Sequence, residues 1–225
     1  MTDTVGSALA TEPSPDDPTP ARRTRPGVPF LPAIFIGVAL LVLGVGAASW
    51  WHNRETTPGA VDVGFYDDMT THHLQAIKMA NIYTQHGDND DLRSRAEEIA
   101  FFQSGDVRVM QDALSDWGKE GTANTAMEWM GTPVPQDAQP GMATPPQMAD
   151  LEAARGLALD DQFTQLMIEH HAGGIHMAQY AQEHARLQDV QDLAGSIVAT
   201  QRMEIDELNH LRQDLGLPIF EPTGI

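Results

Sequence analysis

The chain has 225 residues, enough for one domain with appendages, and it contains no cysteine. The lack of cysteine excludes a disulfide-stapled domain, a lipoprotein and a copper site of the thiolate kind. The formal net charge of −19 argues against nucleic acid and anionic lipid headgroups as partners.

The first 51 residues predict a tail and a membrane anchor. Residues 1–29 are rich in Pro, Thr, Ser and Asp, which is typical of a disordered cytoplasmic tail. Residues 30–51 carry no charge and are long enough to cross a bilayer as one helix. Three arginines lie just before this segment, so the positive-inside rule predicts a single-pass protein of the cytoplasmic membrane, with its N-terminus inside and its C-terminal domain outside. A cleaved signal peptide is the alternative, which we disfavour because the apolar run exceeds a usual h-region.

After a predicted linker at 52–61, the chain contains an internal repeat. Residues 62–118 align on residues 160–216 at a fixed offset of 98 without a gap, and 15 of the 57 positions are identical. Each copy contains a His-His pair, and the identical positions include the following: Asp62/Asp160, Phe65/Phe163, Met69/Met167, His72/His170, His73/His171, Ile77/Ile175, Met79/Met177, Ala80/Ala178, His86/His184, Ile99/Ile197 and Gln103/Gln201.

Each copy is predicted to form a helical hairpin. Apolar residues recur at steps of three and four, and the pattern breaks at residues 87–90, where Gly87 ends one helix and Asp or Asn begins the next. Gly118 and Gly216 end the second helices. Because one hairpin cannot bury its apolar face alone, we expect an all-α four-helix bundle over residues 62–217 with a pseudo-twofold axis, followed by a C-terminal tail at 218–225.

The connection between the hairpins, residues 119–159, is long and rich in proline. It is long enough to run the length of the bundle, which favours a crossover over a plain up-down-up-down order. Thr144 followed by Pro145 predicts an N-cap and a short helix that ends at about Arg155. The connection also holds four methionines, which either cap the bundle, our preferred interpretation, or capture copper loosely: Met127, Met130, Met142 and Met148.

The His pairs fall near the middle of the first helix of each copy, on the face directed at the core. Adjacent helix positions point about 100° apart, so the two His of a pair cannot face the same point. We expect either one site shared across helices or two sites related by the twofold axis. A buried polar group without a partner costs about 1–3 kcal/mol, so four such rings at one level favour a bound metal.

The residues around the His pairs favour copper. Methionines lie one turn before and two turns beyond the pairs, and imidazole with thioether suits copper, above all Cu(I). Asp106 and Glu204 on the second helices either bind the metal or accept a hydrogen bond from the second ring N–H of a His as outer-shell partners, and Gln103 and Gln201 precede them by one turn. The predicted ligands are His72, His73, His170, His171, Met69, Met167, Met79, Met177, Asp106 and Glu204.

The other histidines are weaker candidates. His86 and His184 recur but lie near helix ends, where a surface role is as good an interpretation. His176 is opposite Lys78 in the repeat and breaks the symmetry. His52 and His210 have no place in the pattern.

The motif Phe65-x3-Met69-x2-His72-His73-x3-Ile77-x-Met79-Ala80 and the closer segment 167–178 resemble the family catalogued as domain of unknown function 305. The resemblance covers about residues 61–217 and includes the segment 141–148. It implies a ferritin-like four-helix bundle exported from the cytoplasm, and some relatives bind copper. The chain departs from the commoner pattern at Lys78 and at Gly173-Gly174, which removes no proposed ligand.

Three functions compete at this point. The first is a membrane-anchored extracytoplasmic copper protein that buffers copper, confers tolerance or hands the ion to a protein partner. The second is an accessory or structural subunit of a membrane complex. The third is a di-metal oxidase, which is disfavoured because no Glu-x-x-His lies on a core face and only two acids do. We therefore expect a binding protein more than an enzyme.

Overall fold

The computed structural model describes residues 57–119 and 125–223. The predicted cytoplasmic tail, the predicted anchor at 30–51 and most of the predicted linker lie outside these residues. Among the helices in the described ranges, none combines the length and the apolar character that a bilayer span requires.

The described residues are mainly helical, as predicted. Two long helices form each hairpin, and a short helix lies in the connection. The first hairpin begins at Ala60 and the second at Leu157, slightly before the predicted starts at residues 62 and 160. In chain order the helices are α1 (Ala60–His86), α2 (Asp90–Asp116), α3 (Pro145–Ala153), α4 (Leu157–His184) and α5 (Gln188–Asp214).

The helix ends follow the local sequence. The Asn89 side chain caps α2 by accepting a hydrogen bond from the Leu92 amide at 2.9 Å, as predicted. Gly118 and Gly216 have φ of +63° and +74°, a conformation that costs other residues energy. In both cases the next amide donates to the carbonyl five residues earlier at 2.8 Å, so the two hairpins end in the same Schellman turn.

The two hairpins pack against each other through α1 and α4, which run antiparallel. Tyr83 near the end of α1 donates a hydrogen bond to Asp160 near the start of α4 at 2.5 Å. At the other end, the Leu187 amide just after α4 donates to Asp62 at 2.8 Å. The end of α2 and the start of α4 therefore lie at opposite ends of the bundle, which confirms the predicted crossover connection.

The core consists of two apolar clusters that both draw on all four long helices. One contains Met69 and Met177, and the other contains Met79 and Met167. By chain position, the His pairs lie between the two clusters. The predicted core-facing positions, for example Phe65, are buried, so the helical periodicity identified the core faces correctly.

The connection contains more regular structure than its sequence indicated. Two short antiparallel strands, β1 (Thr125–Ala126) and β2 (Val134–Pro135), pair with each other, and 3₁₀ turns lie at Glu128–Met130 and Gln136–Ala138. Helix α3 begins after Thr144, whose side chain accepts from the Gln147 amide, as predicted. It ends at Ala153 rather than at Arg155.

The methionines of the connection mostly cap the bundle. Met127 and Met148 are buried, one in each apolar cluster, and Met130 packs partly against the first cluster. Asp68 of α1 holds this part of the connection by accepting hydrogen bonds at 2.7 Å from the Met127 amide and from the Trp129 indole. The preferred interpretation of these methionines is therefore confirmed for Met127 and Met148.

A second part of the connection lies directly on α1 and α4. The Gln75 side chain exchanges two hydrogen bonds with the backbone of Ala143, at 2.7 and 2.9 Å. A Cβ atom placed on Gly173 would lie 1.9 Å from the carbonyl oxygen of Pro140. Residue 173 is the repeat counterpart of Gln75, so the departure from the repeat at this glycine makes room for the connection.

Candidate metal centre

His72 and His170 meet at the interface between α1 and α4. Both rings are fully buried, and their centroids are 3.7 Å apart. The Nε2 atom of His170 lies 3.0 Å from the carbonyl oxygen of His72, and Nε2 of His72 lies 3.0 Å from the carbonyl oxygen of Pro140. The predicted convergence of imidazoles from the two halves of the repeat is therefore present.

These contacts fix the tautomer of both rings. A carbonyl oxygen only accepts hydrogen bonds, so each Nε2 must carry the proton and donate it. In the neutral ring, Nδ1 then keeps its lone pair. Neither Nδ1 atom has a hydrogen-bond partner within residues 57–119 and 125–223. The interface thus holds two buried imidazole lone pairs that accept no hydrogen bond.

Both rings of this pair stay neutral over the physiological pH range. Burial lowers the pKa of His72 to about 3, and the neighbouring His73 and His171 add repulsion. Burial also lowers the pKa of His170 well below its usual value, with the same neighbouring rings contributing. Because neutral imidazole is the form that binds metal, protons do not compete for these two rings near neutral pH.

His73 and His171 point away from the shared pair, toward the second helix of each hairpin. Nε2 of His73 lies 3.5 Å from the Asp106 carboxylate on α2, and Nε2 of His171 lies 2.8 Å from the Glu204 carboxylate on α5. The two members of each pair therefore diverge, as expected for adjacent helix positions. The layer combines one shared pair with two His–carboxylate pairs.

The two His–carboxylate pairs differ in how water reaches them. The Asp106 side chain is 32% exposed, whereas that of Glu204 is 3% exposed. The additional methylene of Glu204 carries its carboxylate closer to the buried ring. Among the described residues, Nδ1 of His73 and of His171 has no hydrogen-bond partner, and Nε2 of His171 makes no well-aligned hydrogen bond in spite of its close approach to Glu204.

A small cavity opens between α2 and α5 beside these carboxylates. Its volume is about 10 Å³, about what one water molecule needs. The side chains of Gln103 and Gln201 line it, and in the part of the chain that the structure describes neither the oxygen nor the nitrogen of either amide has a hydrogen-bond partner. Such bare amides are costly when buried, so the cavity suits a small polar guest.

The predicted methionine ligands lie on either side of the His layer. All four are fully buried, with Met69 and Met177 in one apolar cluster and Met79 and Met167 in the other. Within residues 57–119 and 125–223, no group of three or more His, Asp or Glu side chains is already arranged to hold an ion. The structure thus brings together the four His and the two carboxylates, with the sulfur atoms in the adjoining layers.

The remaining histidines lie away from this layer. His86 is half-buried at the end of α1. His184 is exposed and stacks on Tyr180, with ring centroids 4.0 Å apart. His176 and His210 are exposed, and His52 lies outside the described residues.

Sequence reasoning missed the role of Pro140. Its carbonyl sets the tautomer of His72, yet the connection lies outside the repeat and carries no periodic pattern. The signal in the sequence was Gly173-Gly174, where the second copy lacks the side chains of Gln75 and Ala76. Small residues at that point indicate a close approach of another backbone.

The donor atoms of the layer fit a copper ion better than a hard cation. Unpartnered imidazole nitrogens and nearby thioethers are the ligands that soft and borderline metals prefer. The residues that could hold such an ion are the four paired His, with sulfur from the adjoining layers. The two carboxylates are placed to accept hydrogen bonds from the outer ring nitrogens of His73 and His171.

The sequence profile described as Domain of unknown function (DUF305) matches residues 62–212. This chain belongs to the DUF305 family. A crystal structure of a DUF305 protein from Streptomyces coelicolor is 32% identical with a TM-score of 0.67, and the match covers 72% of this chain and 97% of that one. A DUF305 fragment from Deinococcus radiodurans is 27% identical with a TM-score of 0.62, over 70% of this chain and 99% of the fragment.

More distant structures share the fold. CopM in its Cu(I)-bound form is 24% identical with a TM-score of 0.52, and the match covers 68% of this chain and 96% of CopM. At this level of identity the likeness concerns the fold alone. Among curated proteins, no sequence matches this DUF305 chain.

Proposed function

We propose that this DUF305 protein binds copper outside the cytoplasm and serves in copper buffering, tolerance or handover. The observation that carries the proposal is the buried pair formed by His72 and His170. Each ring donates from Nε2 to a backbone carbonyl and leaves its Nδ1 lone pair without a partner. A bound cation would use both lone pairs, at a place where apolar packing would otherwise be expected.

The proposed ligands extend from this shared pair to the rest of the layer. His73 and His171 add two further imidazoles, held by Asp106 and Glu204 in the role of outer-shell partners. Sulfur comes from the methionines above and below, Met69 and Met167 first because they lie one turn from the His pairs, then Met79 and Met177.

Copper as Cu(I) is the ion that we favour. Neutral imidazole from the paired His and thioether sulfur from the adjoining methionines form a soft donor set, and such a set suits Cu(I). Structures of CopM, which shares the fold, are of Cu(I)-bound, Cu(II)-bound and Ag-bound forms. A di-iron oxidase remains disfavoured, since the His layer offers two carboxylates and di-iron sites of this class use four.

We further propose that the domain is held at the outer face of the cytoplasmic membrane. The support is the uncharged segment 30–51 with arginines before it, and the ferritin-like bundle would then follow outside. The cargo in this proposal is the metal ion, and any recipient protein is unidentified.

A structural role for the histidines is the second candidate. Its support is that both rings of the shared pair bond to backbone carbonyls, so His72 also fastens the connection at Pro140 to α1, and His170 also fastens α4 to α1. In that case the protein would serve as an accessory subunit of a membrane complex. The layer would then bind no metal with useful affinity.

Competition for Cu(I) against a coloured chelator separates the two candidates. The full chain is compared with His72→Ala/His170→Ala and with His176→Ala/His210→Ala, a control that removes two exposed histidines, one from α4 and one from α5. We expect the first variant to lose affinity by at least about 100-fold, because loss of an outer-shell partner alone costs up to about that much. The control should bind Cu(I) like wild type. Equal affinity of both variants would contradict the proposal, provided that circular dichroism shows both to be folded.

A further inference from the structure

The His layer has one closed face and one open face. On the α1–α4 side the connection covers it: Pro140 accepts from His72, and Gln75 fastens the backbone at Ala143. The contact is close enough that a Cβ atom on Gly141 would lie 2.4 Å from the carbonyl oxygen of Glu169. An ion could not pass here unless the connection detached.

The opposite face, between α2 and α5, is much looser. These helices touch only sparsely, and the small cavity described above lies between them at the level of the His pairs. Asp106 reaches water there with a side chain that is 32% exposed, whereas Glu204 and the paired His are buried. Of the proposed ligands, Asp106 is therefore the first that an ion from solvent meets.

Unpartnered amides lead inward from Asp106. The Gln103 and Gln201 side chains are 3% and 2% exposed and line the cavity together with His73 and Glu204. The four amide oxygen and nitrogen atoms of Gln103 and Gln201 lack a hydrogen-bond partner among the described residues. Leaving a buried amide without partners costs about 1–3 kcal/mol. These amides therefore indicate that the cavity holds water or a transiently bound ligand.

We propose that the α2–α5 seam is the route by which copper enters and leaves the His layer, with Asp106 capturing the ion and Gln103 and Gln201 passing it to His73. This inference rests on the proposed function. The overall charge of −19 favours cations at such an opening, and the carboxylate supplies the local ligand. In this proposal the buried Glu204 lies at the inner end of the route and not at its opening to solvent.

Phe102 sets the width of the opening. Its ring lines the cavity and is 56% exposed, so it stands at the rim. Phe101, the next residue on α2, is 74% exposed and does not line the cavity. The two phenylalanines provide a matched pair for testing whether the rim limits passage.

The test measures the rate of Cu(I) loading by stopped flow, with the ion supplied from a coloured chelator, and the rate of release to excess chelator. Asp106→Asn is compared with Asp112→Asn, which removes the same charge from an exposed position on the same helix. We expect Asp106→Asn to slow both loading and release by about tenfold, the lower end for charge-guided capture, and Asp112→Asn to change neither by more than about twofold.

The rim variants are expected to act in the opposite direction. Phe102→Ala should speed both loading and release several-fold because it widens the opening, while Phe101→Ala leaves both rates unchanged. The equilibrium affinity should stay within about threefold of wild type in Phe102→Ala, Phe101→Ala and Asp112→Asn, since a route affects rates in both directions. Circular dichroism melts establish that each variant is folded.

Two results would overturn the inference. One is that Asp106→Asn loads Cu(I) at the wild-type rate, or that Asp112→Asn slows loading as much as Asp106→Asn does. The other is a loss of affinity in Asp106→Asn through faster release alone, which would make Asp106 a resident ligand. In both cases wild type still binds Cu(I) and the proposed function stands, whereas failure of wild type to bind would remove the proposed function and this inference together.

Discussion

The two halves of the repeat treat the same residues differently. His73 in the first half has a short, partly exposed carboxylate partner at 3.5 Å, and His171 in the second half has a longer, buried one at 2.8 Å. Gln75 donates a hydrogen bond to the connection, whereas its counterpart Gly173 has no side chain and leaves space for the connection. The repeat thus accounts for the symmetric His layer, while the differences between Gln75 and Gly173 and between Asp106 and Glu204 make its surroundings asymmetric.

The largest expected effect comes from filling the space that Gly173 leaves. Gly173→Ala would place a Cβ atom 1.9 Å from the Pro140 oxygen, so backbone must shift. We expect a loss of about 3 kcal/mol in the free energy of unfolding, measured by urea denaturation of the metal-free protein. Gly105 is exposed on α2, and a Cβ atom placed there has nothing within 4 Å. Gly105→Ala should therefore raise the free energy of unfolding by up to about 1 kcal/mol. Similar values for both variants would contradict the closed face.

The next effect concerns pH. The pKa of His72 is about 3 in the fold against 6.5 in the unfolded chain, so below 6.5 the unfolded state binds more protons and stability falls. The stability from this ring is complete above pH 6.5, and about 2 kcal/mol of it is lost at pH 5. His170 acts in the same direction. Urea denaturation of the metal-free protein between pH 7.5 and 5 should show this loss.

The double variant His72→Leu/His170→Leu is the control for the pH effect. It removes both titrating rings from the interface and should flatten the dependence between pH 6.5 and 5. An equally steep dependence in this variant would assign the effect to carboxylates elsewhere. A flat dependence in wild type would contradict the buried, neutral His pair.

A smaller effect separates the two His–carboxylate pairs. Glu204→Gln replaces a buried carboxylate whose oxygen lies 2.8 Å from Nε2 of His171, and we expect it to cost about 1.5 kcal/mol, in the range for a buried polar group that loses its partner. Asp106→Asn acts on a partly exposed partner and should cost less than about 0.5 kcal/mol. Urea denaturation at pH 7.5 gives both values. Equal costs would mean that the two halves are equivalent after all.

Much of this arrangement could be predicted from the sequence because it repeats. The period of apolar residues located the hairpins, and the offset of 98 brought His72 and His170 together. The cover over the layer could not be predicted, since Pro140 lies in a connection without periodicity. The exposure of Asp106 also escaped prediction, because it depends on how widely α2 and α5 separate.

The difference between the carboxylates shows the same limit at finer scale. Asp106 and Glu204 align in the repeat, and the sequence gives both the same two possible roles. One methylene and the local seam between helices decide that one is buried and the other reaches water. A pattern of residue types does not carry that information.

The most direct test of the account is the ¹⁵N NMR spectrum of the labelled imidazoles, recorded as Cu(I) is added to the metal-free protein. The account predicts that His72 and His170 begin as Nε2–H tautomers and that their Nδ1 resonances shift on binding while Nε2 keeps its proton. Unchanged Nδ1 resonances in both rings after one equivalent of Cu(I) has bound would contradict it.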